Sequence, residues 1–478
     1  HVAIVFLAGN LNGGSLVTKF IEFVKTYDIR GLVGSQLNDE VVQCFGAAFA
    51  DELGLSGKEL VVGHDMRDSS PGFAAAFSLG ARKRGANVVM LGLCSTDMNY
   101  YASGFLDLPA AMFTASHNPA SYNGIKLSRA GARGISLDTG LAAIRDRAAV
   151  LFESGIPADS ATGSERNLSV MADYSNYLRK LVPLQGIRKL KIVIDTANGM
   201  GGLTVPVVLG DNASIEIVPM YFELDGSFPN HEANPLDSKN LVDLQAMVVS
   251  AGADLGLAFD GDADRCFAVD EKGLPVTPSA VAAIVSKREI LRVQASGEKT
   301  PIVLHNLLTS KSVSETINAH GAIPQVTKVG HSLIKDQMAS TAAVFGGEHS
   351  AHYYFREFWG ADNGMLAAMH LISELGTQDR AMSEISVDYT PYFASGEINS
   401  TVADAHKAQS RVAAEFEGAF LEELDGKTYS QQDGEVWWWC NIRSSNTEPL
   451  LRLNVESNQE SVMHQIRDRA LAAITSKA

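Results

Sequence analysis

Short apolar runs recur along the chain, each followed by a glycine-rich or polar loop and then a helical stretch. "KELVVGHDMR" (58–67) reads as a strand and leads into the helix-like "SPGFAAAFSLGARKRG". "RKLKIVIDTANGMGG" (188–202) repeats the plan, as does "KTPIVLHNLLTS" (299–310) before "KSVSETINAHG". Strands alternating with helices of this length predict βαβ units and mostly parallel sheets. The three units form a weak internal repeat at roughly domain scale. Ligands in such folds gather in the loops beyond the carboxyl ends of the strands.

Three polar or turn-rich stretches, 153–167, 270–278 and 386–397, read as linkers. They divide the chain into expected domains 1–164, 165–272, 273–388 and 389–478. The last block has a different rhythm: "VWWWCNIRSSNTEPLLRLNVE" predicts two strands around a loop, followed by a C-terminal helix. Trp437 to Trp439 are expected to pack on both faces of a strand rather than to form a binding platform.

A length of 478 residues is too much for one ordinary core. With 46% hydrophobic and 20% charged residues the chain is globular. The net charge of −16 argues against nucleic acid or an anionic membrane as partner, because phosphate backbones reward clusters of Lys and Arg. Small phosphorylated ligands need only a local positive pocket. Cys44, Cys94, Cys266 and Cys440 form no CxxC pair, so neither a zinc ribbon nor a redox pair is expected. A large, cysteine-poor chain fits a reducing compartment, and the expected location is cytoplasmic. The opening "HVAIVFLAG" is short and no basic stretch precedes it, so no signal peptide is expected; the first dozen residues are set aside. No run of about 20 apolar residues predicts a transmembrane helix.

"TASHNP" (114–119) follows the apolar run "LPAAMF". Such polar groups suit either a capped turn or a serine held out to react. In "LGLAFDGDADRC" (255–266) an apolar strand runs into Asp260, Asp262 and Asp264 at every second position, which on extended chain point the same way. Three like charges repel unless a cation holds them, and oxygen-only ligands suit Mg²⁺. An EF-hand is excluded: Arg265 stands where that loop needs glycine, and a strand precedes it. A phosphatase with an aspartyl nucleophile also uses D-x-D after a strand, but leaves "TASHNP" without a role. "RSSNTEPLLR" (443–452) joins Arg443 to hydroxyls and loop N–H groups, the parts of a phosphate cradle or of a plain hydrophilic hairpin. "FGGEHSAHYYF" (345–355) brings Glu348, His349, Ser350 and His352 close together. "TKVGHSLIK" (327–335) offers Gly330 and His331, and "YDIRG" (27–31) offers Tyr27 and Arg30.

Together these stretches resemble the α-D-phosphohexomutase superfamily, closest to its bacterial phosphomannomutase/phosphoglucomutase branch, from about residue 27 to the C-terminus. "TASHNPASYNGIK" and "FDGDADRC" carry the resemblance most specifically. It implies four domains around a central cleft: three similar mixed α/β domains and a smaller C-terminal α+β domain. It implies that Ser116 carries the catalytic phosphate and, with Asp260, Asp262 and Asp264, binds Mg²⁺. It further implies that Glu348 and Ser350 read sugar hydroxyls. Arg443, Ser445, Asn446 and Thr447 hold the phosphate that does not react. Tyr27, Arg30, Lys126, Arg265, His331 and His352 line the cleft, with Lys126 and His352 as candidate proton handlers. The implied reaction moves phosphate between C6 and C1 of mannose or glucose phosphates through a phosphoserine and a hexose 1,6-bisphosphate. The alternatives are a phosphoglucosamine mutase of the same superfamily, a Mg²⁺-dependent sugar-phosphate phosphatase, and an inactive sugar-phosphate binding protein. Two departures bear on the sugar: Ala351 stands where many relatives have glycine, and "IVLHNLLTS" lacks a basic cleft residue, with Lys311 nearby but displaced. The sequence leaves the oligomeric state open.

Overall fold

A computed structural model of the chain describes residues 16–157, 162–444 and 450–476, the side chains of 16–19, 331 and 332 apart. Among these residues the strands form four sheets. The first three follow one plan. A central strand pairs in parallel with two neighbours, and beyond one of these come antiparallel strands. In the first sheet Glu59–His64 lies between Asn87–Leu93 and Ala110–Phe113, followed by Tyr122–Arg129 and Ile29–Leu32. In the second, Leu190–Asp195 lies between Ile215–Met220 and Leu255–Phe259, followed by Cys266–Asp270 and Pro275–Val276. In the third, Ile302–Asn306 lies between Ile323–Thr327 and Phe345–Gly347, followed by Tyr353–Phe355 and Ala361–Asp362. The weak repeat in the sequence is therefore a repeat of topology. The fourth sheet is antiparallel at every pairing, built around Val436–Ser444 and Leu450–Ser457 and covered by helices Ala405–Glu415 and Glu460–Thr475.

Local chemistry explains the ends of the elements. Asn38 caps helix Asp39–Glu52 by accepting from the Val41 N–H, with Asp39 and Glu40 in the first turn, where the helix dipole favours negative charge. Thr277 caps helix Pro278–Ala295, and Pro278 occupies the first helical position.

Two short strands lie within the expected linkers and pair back onto the sheets before them. Glu165–Asn167 is an edge strand of the first sheet, parallel to Asn87–Leu93, so a boundary after residue 164 cuts it from its sheet. Pro275–Val276 likewise pairs back onto Cys266–Asp270, so a boundary after 272 splits a hairpin. Both strands are short, and Glu165–Asn167 is exposed throughout, so neither shows as an apolar run.

One hydrophobic cluster runs through the first three units, joining Met112 to Phe259 and Tyr353. An aromatic group seals the junction: Trp359 stacks on Tyr177 with ring centres 5.4 Å apart and meets Tyr101 edge-on. The fourth unit has its own core of Val412, Trp438, Leu453 and Ile466. Of the tryptophan triplet, Trp438 packs inward against Phe416, while Trp437 and Trp439 face the third unit. Trp437 takes Lys311 on its ring, and Trp439 donates to Glu456, which also accepts from the Lys311 N–H. Lys311 is thus part of the junction between units. No helix among the described residues is long and apolar enough to cross a membrane.

Candidate active site

The repeated plan puts one loop in the same place three times, where the outer parallel strand turns into its antiparallel neighbour. In the first unit this loop joins Ala110–Phe113 to Tyr122–Arg129 and carries Ser116. In the second it joins Leu255–Phe259 to Cys266–Asp270 and carries Asp260 to Arg265. In the third it joins Phe345–Gly347 to Tyr353–Phe355 and carries Glu348 to His352. Each loop turns through a left-handed residue that is not glycine: Ser116 at φ 50°, Ala263 at 64° and Ala351 at 65°. This backbone region favours glycine, and Ala351 occupies it with a side chain.

The three loops meet. Ser116 Oγ donates to Asp260 Oδ2 at 2.9 Å across 144 residues of sequence. Arg265 Nε donates to the same oxygen at 2.9 Å, and its Nη2 lies 2.6 Å from His117 Nδ1. Lys126 reaches over to donate to Asp262 Oδ2 and Asp264 Oδ2, both at 2.6 Å. Arg265 and His352 pair through their backbones, joining the second and third loops, and His352 Nε2 stands 3.9 Å from Asp264 Oδ1. The approach is tight. A Cβ added to Gly261 would lie 2.4 Å from the Ser116 carbonyl oxygen, so the acidic loop nests against the serine loop only because residue 261 is glycine.

The three aspartates are buried, with carboxylate oxygens all within 4.8 Å of one another. Asp262 Oδ1 and Asp264 Oδ1 have no hydrogen-bond partner. Buried, orphaned carboxylate oxygens converging from one loop fit a hard divalent cation. Electrostatics separates the carboxyls. Burial would raise Asp262, but Lys126 and the Thr96 hydroxyl outweigh it and hold the group well below the usual range. Burial and the neighbouring Asp262 push Asp264 up to about 7. Neighbouring carboxyls whose surroundings drive them apart in this way are a feature of functional sites. Lys126 is held well above its ordinary value because Asp262 and Asp264 overcome burial. Burial, together with Arg265, lowers His117 well below the ordinary imidazole value and His352 to about 4, so both rings are neutral at pH 7.

Around this centre, Arg30 donates to Asn118 Oδ1 at 2.7 Å and to Asp28 at 2.6 Å. Glu348 is buried and braced by the Tyr354 hydroxyl at 2.6 Å, the Gly330 N–H at 3.2 Å and Asn306 at 3.3 Å. Ser350 Oγ lies 3.0 Å from His352 Nδ1. Tyr27 sits where the first, third and fourth units meet. Its hydroxyl lies so close to Gly330 that a Cβ there would be 2.6 Å away, and burial, Asp425 and Glu348 raise its pKa. Arg443 is paired at 2.9 Å with Glu397, which lies 3.4 Å from Arg452 and 3.9 Å from His349. Ser445, Asn446, Thr447 and the His331 side chain lie outside the described residues, and the backbone of His331 opens helix His331–Thr341. In "IVLHNLLTS", His305 is buried one residue before the end of strand Ile302–Asn306, with Nδ1 2.8 Å from Thr309 Oγ1.

Two residues escaped the sequence reading. Thr96, first in helix Thr96–Leu106, donates through Oγ1 to Asp262 Oδ2 at 2.5 Å and through its N–H to the Asp262 carbonyl at 3.1 Å. A helix N-terminus thus abuts the acidic loop, and its dipole favours that charge. Arg67, in the loop after Glu59–His64, lies buried under the serine loop and donates to its carbonyls. The available signal was an arginine directly beyond a central parallel strand, where function concentrates.

Comparison with known proteins gives a consistent result. Four family models match in chain order: phosphoglucomutase/phosphomannomutase alpha/beta/alpha domain I over residues 22–150, domain II over 172–273, domain III over 277–392, and the C-terminal domain over 397–473. A protein of Xanthomonas campestris pv. campestris named "Phosphohexose mutases" is 39% identical over 451 residues, covering 94% of this chain and 98% of its own. The phosphomannomutase of Salmonella typhimurium is 36% identical over 463 residues, covering 94% and 98%. A solved phosphoglucomutase/phosphomannomutase family protein from Burkholderia thailandensis superposes with a TM-score of 0.84 at 27% identity, covering 96% of this chain and 98% of its own.

Proposed function

The chain belongs to the phosphoglucomutase/phosphomannomutase family and is a hexose phosphate mutase, and on that premise we propose how its residues carry the reaction. Ser116 holds the phosphate and donates it to the free hydroxyl of a hexose 1- or 6-phosphate. The Ser116 Oγ–P bond breaks as the sugar O–P bond forms, and the hydroxyl proton passes to the protein. The resulting hexose 1,6-bisphosphate turns over in the cleft and returns its other phosphate to Ser116. The observation that carries this reading is the Ser116 hydroxyl 2.9 Å from Asp260, with Arg265 on the same carboxylate oxygen and Lys126 bound to the two neighbouring aspartates.

Asp260, Asp262 and Asp264 hold Mg²⁺, which when bound supplies positive charge to the phosphoryl oxygens. Arg265 and Arg30 add fixed cations aimed at the same region, and positioning with charge stabilisation does most of the work in phosphoryl transfer. His352 and Lys126 handle the proton. Arg443 with Ser445, Asn446 and Thr447 holds the phosphate that does not react, while Tyr27 and His331 line the cleft between the two ends. Four buried, free cysteines fit a reducing compartment such as the cytoplasm.

Glu348 and Ser350 grip the 3- and 4-hydroxyls, which lie between the two phosphates and can be held from either end of the sugar. Mannose and glucose differ only at the 2-hydroxyl, so such a grip separates them weakly. We expect both to be used with efficiencies within about tenfold, or ~1.4 kcal/mol. A coupled assay on mannose 1-phosphate, glucose 1-phosphate and glucosamine 1-phosphate tests this, with intact-mass analysis for phosphate on Ser116. A preference for glucosamine 1-phosphate, or protein that never carries phosphate on serine, would overturn it.

A further inference from the structure

We propose that Arg67 is the positioning residue of the catalytic serine: its guanidinium holds the 116–122 backbone from beneath, so that Ser116 is presented to the sugar in one fixed geometry. The proposal rests on Ser116 as the phosphate carrier.

Arg67 is 2% exposed, and both terminal nitrogens are spent on one loop. Nη2 donates to the carbonyls of Ser116 at 2.9 Å and Asn118 at 2.6 Å. Nη1 donates to the carbonyls of Pro119 at 2.9 Å and Tyr122 at 2.9 Å. A loop that has left its sheet has lost the ladder that satisfied its carbonyls, and buried carbonyls require donors. A planar fork of N–H groups can span four acceptors along a curve, which the single ammonium of lysine cannot.

Arg67 is itself held on three sides. Its N–H donates to Asp65 Oδ1 at 3.0 Å, and Nε lies 3.3 Å from Asp65 Oδ2. Phe228, from the second unit, lies against the guanidinium with 5.1 Å to the ring centre. Asp65 also accepts from Ser70 Oγ at 2.6 Å, and Ser70 accepts from Asn123 at 3.0 Å, so the network closes on the strand beyond the loop. The loop is thus tied at both ends and at its turn.

The consequence falls on Ser116. Its φ of 50° is left-handed, a conformation that non-glycine residues keep only where the surroundings impose it. With the Ser116 carbonyl drawn onto Arg67, the trans peptide turns the His117 N–H to the opposite side. Holding that peptide fixes the backbone at Ser116, from which the side chain and any phosphate on it project. The hydrogen bonds of the Arg67 guanidinium go to the loop carbonyls, and it meets Asp262 of the acidic cluster only through its charge, which Arg67→Lys keeps.

The test compares Arg67→Lys, Arg67→Ala and Ser116→Ala in the full chain, each loaded with glucose 1,6-bisphosphate. We expect Arg67→Lys to remain folded, to lose about 100-fold in kcat and to keep KM within about threefold, because misplacing a reacting group slows the chemistry without removing substrate contacts. Millimolar guanidinium should restore kcat of Arg67→Ala by about tenfold by refilling the cradle. A folded Arg67→Lys with near-normal kcat overturns the proposal. So does one that fails to fold, because Arg67 would then belong to the scaffold, and so does guanidinium that raises the melting temperature of Arg67→Ala without raising kcat. If Ser116→Ala is itself active, the carrier reading fails instead, and the two failures are distinct.

Discussion

The first three units and the fourth are held together by different physics. One apolar cluster runs through units one to three, beside separate clusters in the first and third, and their loops bond directly to one another around Ser116 and the aspartates. The fourth has its own core and meets the rest largely through polar contacts. The Val329 N–H reaches Asp425 at 2.9 Å, and the Lys311 N–H reaches Glu456 at 2.9 Å. Water competes for polar contacts at an exposed seam far better than for buried apolar area. The loops around Ser116 and the aspartates are therefore preassembled, whereas Arg443, proposed to hold the second phosphate, belongs to a separately stabilised body.

Substitutions on either side of that divide sharpen the contrast. The largest effect is expected from Ser116→Ala, which removes the phosphate carrier and leaves the shared core intact. Turnover should fall by several orders of magnitude while calorimetric melting and substrate binding hardly move. A near-normal steady-state rate would break the assignment.

Next come changes at the metal loop. Thr96→Val keeps shape but removes the hydroxyl that orients Asp262, and partners of this kind are typically worth 10–100-fold in metal affinity. Direct Mn²⁺ binding, read by electron paramagnetic resonance, should weaken by roughly that factor, and Thr96→Ser should recover it. Unchanged binding in the valine variant would leave Thr96 only the task of starting its helix.

On the other side of the divide, Arg443→Ala should raise KM for hexose phosphates about 10–100-fold in both reaction directions, as expected for a lost hydrogen bond to a charged group. Because this phosphate is held in ground and transition states alike, kcat should fall much less. A normal KM would remove this loop from the site.

The smallest effect concerns stability of the fourth unit. Burial would raise Glu397, but Arg443 and Arg452 outweigh it and hold its carboxyl below the ordinary value of 4.5. A depressed carboxyl contributes stability that is present above the unfolded value and is lost as pH falls through the folded one. Glu397→Gln should therefore cost about 1 kcal/mol at pH 7 and progressively less as the pH falls below the ordinary value of 4.5. Denaturant unfolding at several pH values checks this, and a penalty independent of pH would mean that the charge contributes nothing.

How much could be read from residues alone depended on range. The strands and helices of the repeating units were legible because period and capping are local properties of the chain. The edge strands Glu165–Asn167 and Pro275–Val276 were not, since they owe their pairing to a neighbour rather than to their own composition. "DGDADR" announced a cation because three carboxylates and their spacers lie within one turn. Arg67 and Thr96 announced little, because the groups they hold, the carbonyls of the serine loop and Asp262, lie far along the chain.

The sequence by itself determined the loops: which strand each one ends, which polar groups it carries, and the small residues that let it curl. Those follow from stereochemistry over a handful of residues. Only the tertiary structure decided that the first three loops face one another, that Arg67 lies under Ser116, that Thr96 aims Asp262, and that Glu397 sits between two arginines. Each of these joins groups brought together by the packing of sheets, helices and loops, and their geometry is set by buried area and steric fit spread over the molecule. A Cβ at Gly261 would collide with Ser116, 145 positions away in the chain, and no local pattern encodes that contact.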